Sequence, residues 1–492
     1  MMEYYRPLIA LQEDPPFPET LPLRHVPISR LSLLAVCLLV ATTVSAQNVA
    51  GVTAAQLDSI IRTTVAEKHI LGVSVGVMQN GKVILARGYG VRDLSTNDAV
   101  TPRTMFGIGS VTKQFTCSAL LMLAEQKKLS LDDPVAKYFP QLTRARDITL
   151  RDLGGHQSGY RDYYPLDFVD QEMQQPASAD AIIAEYAMRP LDFEPRSRYS
   201  YSNTGYLILG RVIEKVSGEP LGAFLARRIF TPLNLTRTAY EPASPSGAAD
   251  MARGYTSFAL GDPIRADPEA HGWAGAAGAI WSTPSDLLTW DLSLLDHSLI
   301  SPRSVSVLTT AGRLTDGRSS GYGCGESVND RGPAVVFSHG GAVSGFIAQN
   351  TVIPATRSAV VVLSNTDFSP IGALNQDIVA RLLPRGIDVP AVAGLPALDA
   401  ATKFLVELER GSVDRSTLGV DFNLFLTADK VAAGQKALNR MGTISKIRVA
   451  RTSERGGMEV ASVQFDVGTT SAGGLMYRTP DGKVQEFLFS RN

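Results

Sequence analysis

The chain has 492 residues, of which 44% are hydrophobic and 19% charged, and its formal net charge is -1. A chain of this length is too long to fold around one hydrophobic core, which predicts two or three folding units. Its composition is close to the average of soluble globular proteins and excludes disorder over most of its length. The near-neutral charge, without a long basic run, excludes an extended nucleic-acid-binding surface.

The first fifty residues differ from the rest. A short basic stretch at 25–30 precedes an apolar run at 31–44, which ends in small residues up to Ala46. This order is typical of a secretory signal, and the run is shorter than the ~20 residues that span a bilayer. We therefore expect a secreted or periplasmic protein, cleaved after Ala46 and without a stable membrane span. An uncleaved anchor and lipid attachment at Cys37 are the alternatives, and the two dozen residues before the basic stretch leave the natural start open.

Periodicity and turn residues predict the elements that follow. Helical spacing covers 53–69, and the segment 105–295 is mostly helical with long polar loops. Strand-like runs occur at 72–78, 82–88, 334–338, 345–353 and 358–363. Asn80-Gly81 joins the first two runs and is a strong hairpin signal. The pattern predicts a sheet built from both ends of one domain, with a helical lobe inserted between them.

The last part of the chain is predicted to be a separate small α+β unit. A helix at 371–383 is followed by a Gly- and Pro-rich segment at 385–398, which we interpret as a linker. Beyond it lie two helical runs and then alternating runs that end in a hairpin at Asp481-Gly482. The predicted domains are a leader and signal at 1–46, a catalytic domain at 47–384, the linker at 385–398 and a C-terminal domain at 399–492.

Cysteine and histidine content limits the chemistry. Cys37 would leave with the signal, and two remaining cysteines make neither a disulfide framework nor a Cys-x-x-Cys site. Cys117 lies in an apolar helical run, where we expect a buried free thiol. The six histidines show no metal-ligand spacing, so no metal and no cofactor are expected.

Ser110 and Lys113 form the first candidate catalytic element. They lie three residues apart where an apolar helix begins, so they share one helix face and the lysine amine can reach the serine hydroxyl. A serine nucleophile needs an adjacent base, and a desolvated lysine with a lowered pKa can serve. The free N–H groups at the helix start favour developing negative charge.

Tyr201 and Asn203 form the second element, just before an apolar helix at 207–216. A phenol beside Lys113 can be held partly ionised and carry a proton between the serine and the leaving group. The amide of Asn203 can orient a substrate or Lys113. The structural alternative is a polar turn in which Ser202 or Asn203 caps the helix.

His339, Gly340 and Gly341 form the third element, after the apolar run 334–338. Glycines on an edge strand allow a ligand backbone to approach closely. The N–H of Ala342, together with that of Ser110, could form an oxyanion hole. His339 would offer a donor, or a positive charge when protonated, to a substrate carboxylate.

In this order and spacing, the three elements resemble the β-lactamase-related serine hydrolases, which include class C β-lactamases, DD-carboxypeptidases, D-aminopeptidases and family-eight esterases. The resemblance covers about 53–383 and includes His156-Gln157-Ser158-Gly159, similar to the family's His-Thr-Ser-Gly segment, and the glycine-rich stretch 275–287. It implies Ser110 as nucleophile, Lys113 and Tyr201 as the proton-transfer pair, and an antiparallel sheet with flanking helices beside an all-helical lobe.

The resemblance implies a small-molecule or peptide substrate, namely a D-amino-acid peptide, a β-lactam or a short ester. His339-Gly340-Gly341 stands where class C β-lactamases have Lys-Thr-Gly, which favours the peptidase and esterase branches. Two alternatives stay open. One is an inactive family member that acts as a binding or scaffold protein. The other is a Gly-x-Ser-x-Gly site at Ser319, which a polar loop context disfavours.

Overall fold

The computed structural model describes residues 52–166, 168–241, 250–259, 261–330, 334–383 and 389–491. The predicted signal, its cleavage site at Ala46, Cys37 and the start of the linker lie outside these residues. The strands are β1 Gly72–Gln79, β2 Lys82–Asp93, β3 Asp98–Ala99, β4 Phe106–Gly107, β5 Ala239–Tyr240, β6 Tyr255–Thr256, β7 Ile264–Arg265, β8 Ile280–Ser282, β9 Ser327–Asn329, β10 Val336–Val343, β11 Phe346–Ile353, β12 Ser358–Ser364, β13 Ile444–Arg455, β14 Met458–Val467, β15 Thr470–Arg478 and β16 Val484–Arg491. The helices are α1 Ala54–Glu67, α2 Thr112–Glu125, α3 Leu150–Gly154, α4 Ala179–Ala187, α5 Asn203–Ser217, α6 Leu221–Leu225, α7 Gly275–Gly278, α8 Pro284–Leu295, α9 Pro302–Thr309, α10 Ile371–Leu382, α11 Ala397–Arg410, α12 Val420–Phe425 and α13 Ala428–Met441.

The central sheet joins the two ends of the catalytic region. Its strand order is β3-β2-β1-β12-β11-β10-β9, and neighbouring strands are antiparallel. The β1–β2 turn has positive φ at both Asn80 (53°) and Gly81 (72°), as a two-residue hairpin requires. The pairing of β1 with β12 confirms that both ends of the domain build one sheet.

Both faces of this sheet are covered by helices. In β12, Val360 and Val362 belong to the core formed with α1 and α10, and Val361 and Leu363 belong to the core on the helical-lobe side. A strand buried on both faces reads as a continuous apolar run, which explains why 358–363 shows no alternation. This mixed α+β architecture confirms the predicted fold class.

The helical lobe is organised around α2. Every residue of this helix from Thr112 to Leu123 is buried, so α2 runs through the core rather than along its surface. It packs against α5, an amphipathic helix that ends at Gly218 in the left-handed conformation (φ 78°). A residue at the start of α2 is therefore held by packing on all sides.

A disulfide fixes α2 to the segment before β9. Cys117 and Cys324 are bonded, with Cα atoms 5.8 Å apart although 207 residues separate them in the chain. The expected free thiol at Cys117 was therefore wrong. An isolated pair of distant cysteines gives no pairing signal in the sequence, and only the folded arrangement of α2 and the Cys324 segment brings them together.

The C-terminal residues have a hydrophobic core of their own. Strands β13–β16 form one antiparallel sheet, and buried residues of α11 and α13 pack with its apolar face. Phe404 of α11, for example, lies 5.4 Å from Phe487 of β16 between ring centroids. The domain boundaries at 384 and 399 stay a prediction. Among the described residues, no helix combines the length and apolar character needed to cross a bilayer.

Candidate active site

Ser110 lies in a tight helical turn, Gly109–Val111, that leads directly into α2. Gly109 has positive φ (50°), and a Cβ atom there would lie 2.7 Å from the Ala342 nitrogen. A Cβ atom on Gly341 would likewise lie 3.1 Å from the Ser110 nitrogen. Glycine at both positions therefore lets β10 approach the nucleophile turn. The oxyanion hole formed by the N–H groups of Ser110 and Ala342 stays a prediction.

Lys113 lies one turn after Ser110, and its amine is fully buried. The Nζ atom donates to Ser110 Oγ at 2.9 Å, to Asn203 Oδ1 at 2.8 Å and to the Ala277 carbonyl at 2.9 Å. Burial lowers the pKa of Lys113 to about 7, and the negative charge of Asp162 opposes that shift. A lysine that is partly neutral near pH 7 and bonded to a serine can act as its base.

Tyr201 completes the group around the nucleophile. Tyr201 lines the same cavity as Ser110, the Ser110 side chain acts to lower the pKa of its phenol, and the Lys113 Nζ atom lies 4.9 Å from its ring centroid. Burial raises the pKa of Tyr201 above its ordinary value. The expectation of a partly ionised phenol was therefore wrong, because desolvation disfavours the charged form more than nearby groups stabilise it. Tyr201 is a neutral phenol that can donate one proton while it accepts another.

Asn203 belongs to the site as well as to the helix start. Ser202 is the N-cap residue of α5, but its side chain makes no capping bond. Asn203 Oδ1 accepts from Lys113, and Asn203 Nδ2 donates to Asp162 at 3.1 Å. The amide thus orients Lys113, as one sequence interpretation proposed. Asp162 is the partner of this amide on its other side.

The structure places His339 beneath the site rather than on its surface. The imidazole is buried, its Nε2 atom lies 2.7 Å from the Tyr322 hydroxyl, and its Nδ1 atom lies beside the Gly340 carbonyl. Burial, followed by the charge of Lys113, lowers the pKa of His339 to about 3. A neutral imidazole offers no positive charge, which disfavours the protonated alternative for His339. Its role as a hydrogen-bond donor toward a substrate carboxylate stays a prediction. The burial of this side chain on β10 was not visible in the sequence.

A cavity of about 770 Å³ opens at Ser110. Tyr201, Asn203 and Ala342 line it, whereas His339, Gly340 and Gly341 do not. The other lining residues include aromatic, aliphatic and acidic side chains, namely Tyr163, Tyr164, Leu166, Phe168, Val169, Asp162, Asp267 and Asp367. Among the described lining residues there is no Lys, Arg or His, so the charged groups of this cavity are carboxylates.

His156 has a structural role in this arrangement. Its Nδ1 atom accepts from the Ser202 N–H at 3.0 Å, and its ring lies 4.2 Å from that of Tyr201 between centroids. The 156–159 segment therefore supports the Tyr201 turn. Ser319 lies in an exposed turn with neither a strand before it nor a helix after it, which excludes a nucleophile elbow there.

The fold and the Ser–Lys–Tyr arrangement are those of the β-lactamase-related class of serine hydrolases. The family model described as Beta-lactamase matches residues 57–383. The chain belongs to this family, which confirms the resemblance found in the sequence.

D-aminopeptidases are similar to this chain in sequence. A D-aminopeptidase from Brucella anthropi is 31% identical over 342 residues, which are 68% of this chain and 62% of that protein. A D-aminopeptidase from Brucella canis is 29% identical over 324 residues, 65% of this chain and 60% of that protein. The chain thus matches about three fifths of the length of these relatives.

Solved structures show the same fold. A D-stereospecific amidohydrolase from Streptomyces has a TM-score of 0.58 at 24% identity and covers 68% of this chain and 99% of its own. The octameric penicillin-binding protein homologue from Pyrococcus abyssi has a TM-score of 0.59 at 22% identity and covers 87% of this chain and 97% of its own. At these identities the likeness establishes the fold alone.

Proposed function

We propose that this chain is an exported hydrolase that forms an acyl-enzyme on Ser110 and cleaves amides of D-amino acids whose amino group is free. The observation that carries the proposal is the buried Lys113 amine, which lies 2.9 Å from the Oγ atom of Ser110, a residue that lines the acidic cavity. Amide cleavage and D-configuration are supported by the D-aminopeptidase relatives.

The geometry supports a two-step mechanism. Neutral Lys113 takes the proton of Ser110, whose Oγ attacks the amide carbonyl, and the resulting oxyanion accepts from the N–H groups of Ser110 and Ala342. Tyr201 gives its phenol proton to the leaving amine nitrogen and takes up in its place the proton that Lys113 received, the C–N bond breaks, and an ester on Ser110 remains. Water then adds to this ester by the reverse proton path, which releases the amino acid and restores the Ser110 hydroxyl.

The charge of the cavity supports a substrate with an ammonium group. Asp162, Asp267 and Asp367 line the cavity. Asp162 is already engaged by Asn203, whereas Asp267 is exposed and Asp367 is half-buried. Carboxylates facing a partly desolvated cavity attract a protonated amine and repel a substrate carboxylate. Burial raises the pKa of Asp367, and a bound ammonium would oppose that rise.

Asp367→Asn is the variant that tests substrate charge. We expect its KM for a D-amino-acid p-nitroanilide to rise about 10-fold, because the substrate ammonium loses one charge-assisted hydrogen bond. The KM for a neutral p-nitrophenyl ester should change little. Steady-state kinetics on both substrates, with Asp316→Asn in the exposed loop as matched control, measure this. Equal losses on both substrates, or faster cleavage of a chromogenic β-lactam or N-acetylated amide, would contradict the proposed substrate class.

The Cys117–Cys324 bond supports export, because such bonds persist in oxidising compartments and are rare in the cytosol. We expect the exported protein to begin at Gln47. We also expect Cys117 and Cys324 to resist alkylation until their disulfide bond is reduced. In the loop-closure model the bond contributes about 5 kcal/mol, so reduction should lower the melting temperature strongly. N-terminal sequencing, alkylation with mass spectrometry and thermal unfolding measure these outcomes. Mature protein that still contains Cys37, or free thiols in the exported protein, would refute the proposal.

A further inference from the structure

Asp162 holds the side chain of Asn203 from the side opposite Lys113. Its Oδ1 atom accepts from the Asn203 backbone N–H at 2.9 Å and from Asn203 Nδ2 at 3.1 Å, and its Oδ2 atom lies 3.3 Å from the same Nδ2. Oδ1 also accepts from the Tyr164 N–H at 3.2 Å. Three of these four contacts thus come from one residue, at the N-terminus of α5.

These contacts determine which end of the Asn203 amide faces Lys113. A carboxylate only accepts hydrogen bonds, so Asp162 must face the NH₂ end of the amide. The carbonyl end then faces Lys113, where Asn203 Oδ1 accepts from Nζ at 2.8 Å. The flipped amide would set an oxygen against the Asp162 carboxylate and an NH₂ group against the lysine amine. Asp162 therefore fixes one partner of Lys113 although it is not bonded to Lys113 itself.

Asp162 is also the negative charge that acts on Lys113. Other titratable groups around this lysine are Tyr201 just before α5, Tyr206 of α5, His156, His339 of β10, and Glu326, which follows the Gly325 backbone that packs against Lys113. Burial raises the pKa of both tyrosines and of Glu326, and lowers the pKa of both histidines. These groups are therefore neutral near pH 7, which leaves the Lys113 proton to be balanced by Asp162.

We propose that Asp162 is a positioning residue of the active site, which orients Lys113 through the Asn203 amide and supplies the counter-charge for the Lys113 proton. This role rests on the proposed function, since it concerns the base that activates Ser110. It explains why a buried lysine can exchange a proton near neutral pH, where full burial without a counter-charge would hold it neutral.

The test measures the rate of Ser110 labelling by a fluorophosphonate across pH. Asp162→Asn removes the charge and keeps an oxygen that can accept from Asn203. In the profile of labelling rate against pH, we expect the midpoint of the acid limb to fall by about 1 pH unit, because Lys113 loses a proton more easily without the opposite charge. This is the lower end of the range for losing a nearby opposite charge. Asp162→Ser should give the same fall, Asp162→Glu should keep the wild-type midpoint, and Asp316→Asn is the control that should not change it. An unchanged midpoint in the neutral variants that melt like wild type would overturn the proposal.

A double-mutant cycle tests the positioning path. Above the acid limb, where Lys113 is neutral in every variant and its counter-charge no longer matters, only the positioning role is measured. If Asp162 acts there through Asn203, Asp162→Ala combined with Asn203→Ala should slow labelling no more than Asn203→Ala alone. Losses that multiply would mean that the two residues act independently and would overturn the path. Labelling needs no amide substrate and therefore tests Asp162 independently of the substrate class. If the protein shows these profiles but cleaves no D-amino-acid amide, the proposed substrate class is wrong and the proposed role of Asp162 stands. Wild-type labelling in Ser110→Ala would overturn both.

Discussion

Ser110→Ala should abolish covalent labelling and turnover, because the other serine and threonine hydroxyls that line the cavity, those of Thr256, Ser257 and Ser344, have no lysine bonded to them among the described residues. The hydroxyl of Ser110 is the one that Lys113 and Tyr201 contact, and the backbone of Gly341 approaches its N–H. We expect the labelling rate with a fluorophosphonate or fluorescent β-lactam to fall to background, while the melting temperature stays near that of wild type.

Ser319→Ala is the matched control for this loss. Ser319 lies in the exposed turn, where its Oγ atom accepts from the Gly321 N–H, so its removal should leave labelling unchanged. Loss of activity in Ser319→Ala with survival of Ser110→Ala would refute the site. Wild-type protein that labels with neither probe would instead favour the binding or scaffold alternative.

The second large effect is expected at the proton-transfer pair. Lys113→Ala and Tyr201→Phe should each slow acylation by roughly 10²–10⁴, the range for a positioned acid or base. Because one network moves the proton, the double variant should lose far less than the product of the single losses. Pre-steady-state acylation rates of the three variants measure this.

The pH profile separates the two roles. Since neutral Lys113 is the base and its pKa is lowered to about 7, wild-type acylation should rise with pH through that region. Tyr201→Phe should keep this acid limb at a lower rate, and Lys113→Ala should lose it. An acid limb that persists in Lys113→Ala would assign the base to another group.

The catalytic elements could be predicted because their signals are local. Ser110 and Lys113 share a helix face three residues apart, and Asn80-Gly81 prescribes a two-residue hairpin. The partnership of these elements with Tyr201 came from family resemblance rather than from spacing. The proposed role of Asp162 was not predicted, because it depends on the direction of one amide, although its place three residues after the 156–159 segment could have indicated proximity.

Helix starts, strand runs and the turn at Asn80-Gly81 were determined by the sequence itself, since they follow from neighbouring residues and side-chain periodicity. Tertiary structure alone decided the bond between Cys117 and Cys324, and the neutral states of Tyr201 and His339. The reason is physical: ionisation depends on how much water burial removes and on which charges the fold brings near. Disulfide pairing likewise depends on the distance between segments 207 residues apart.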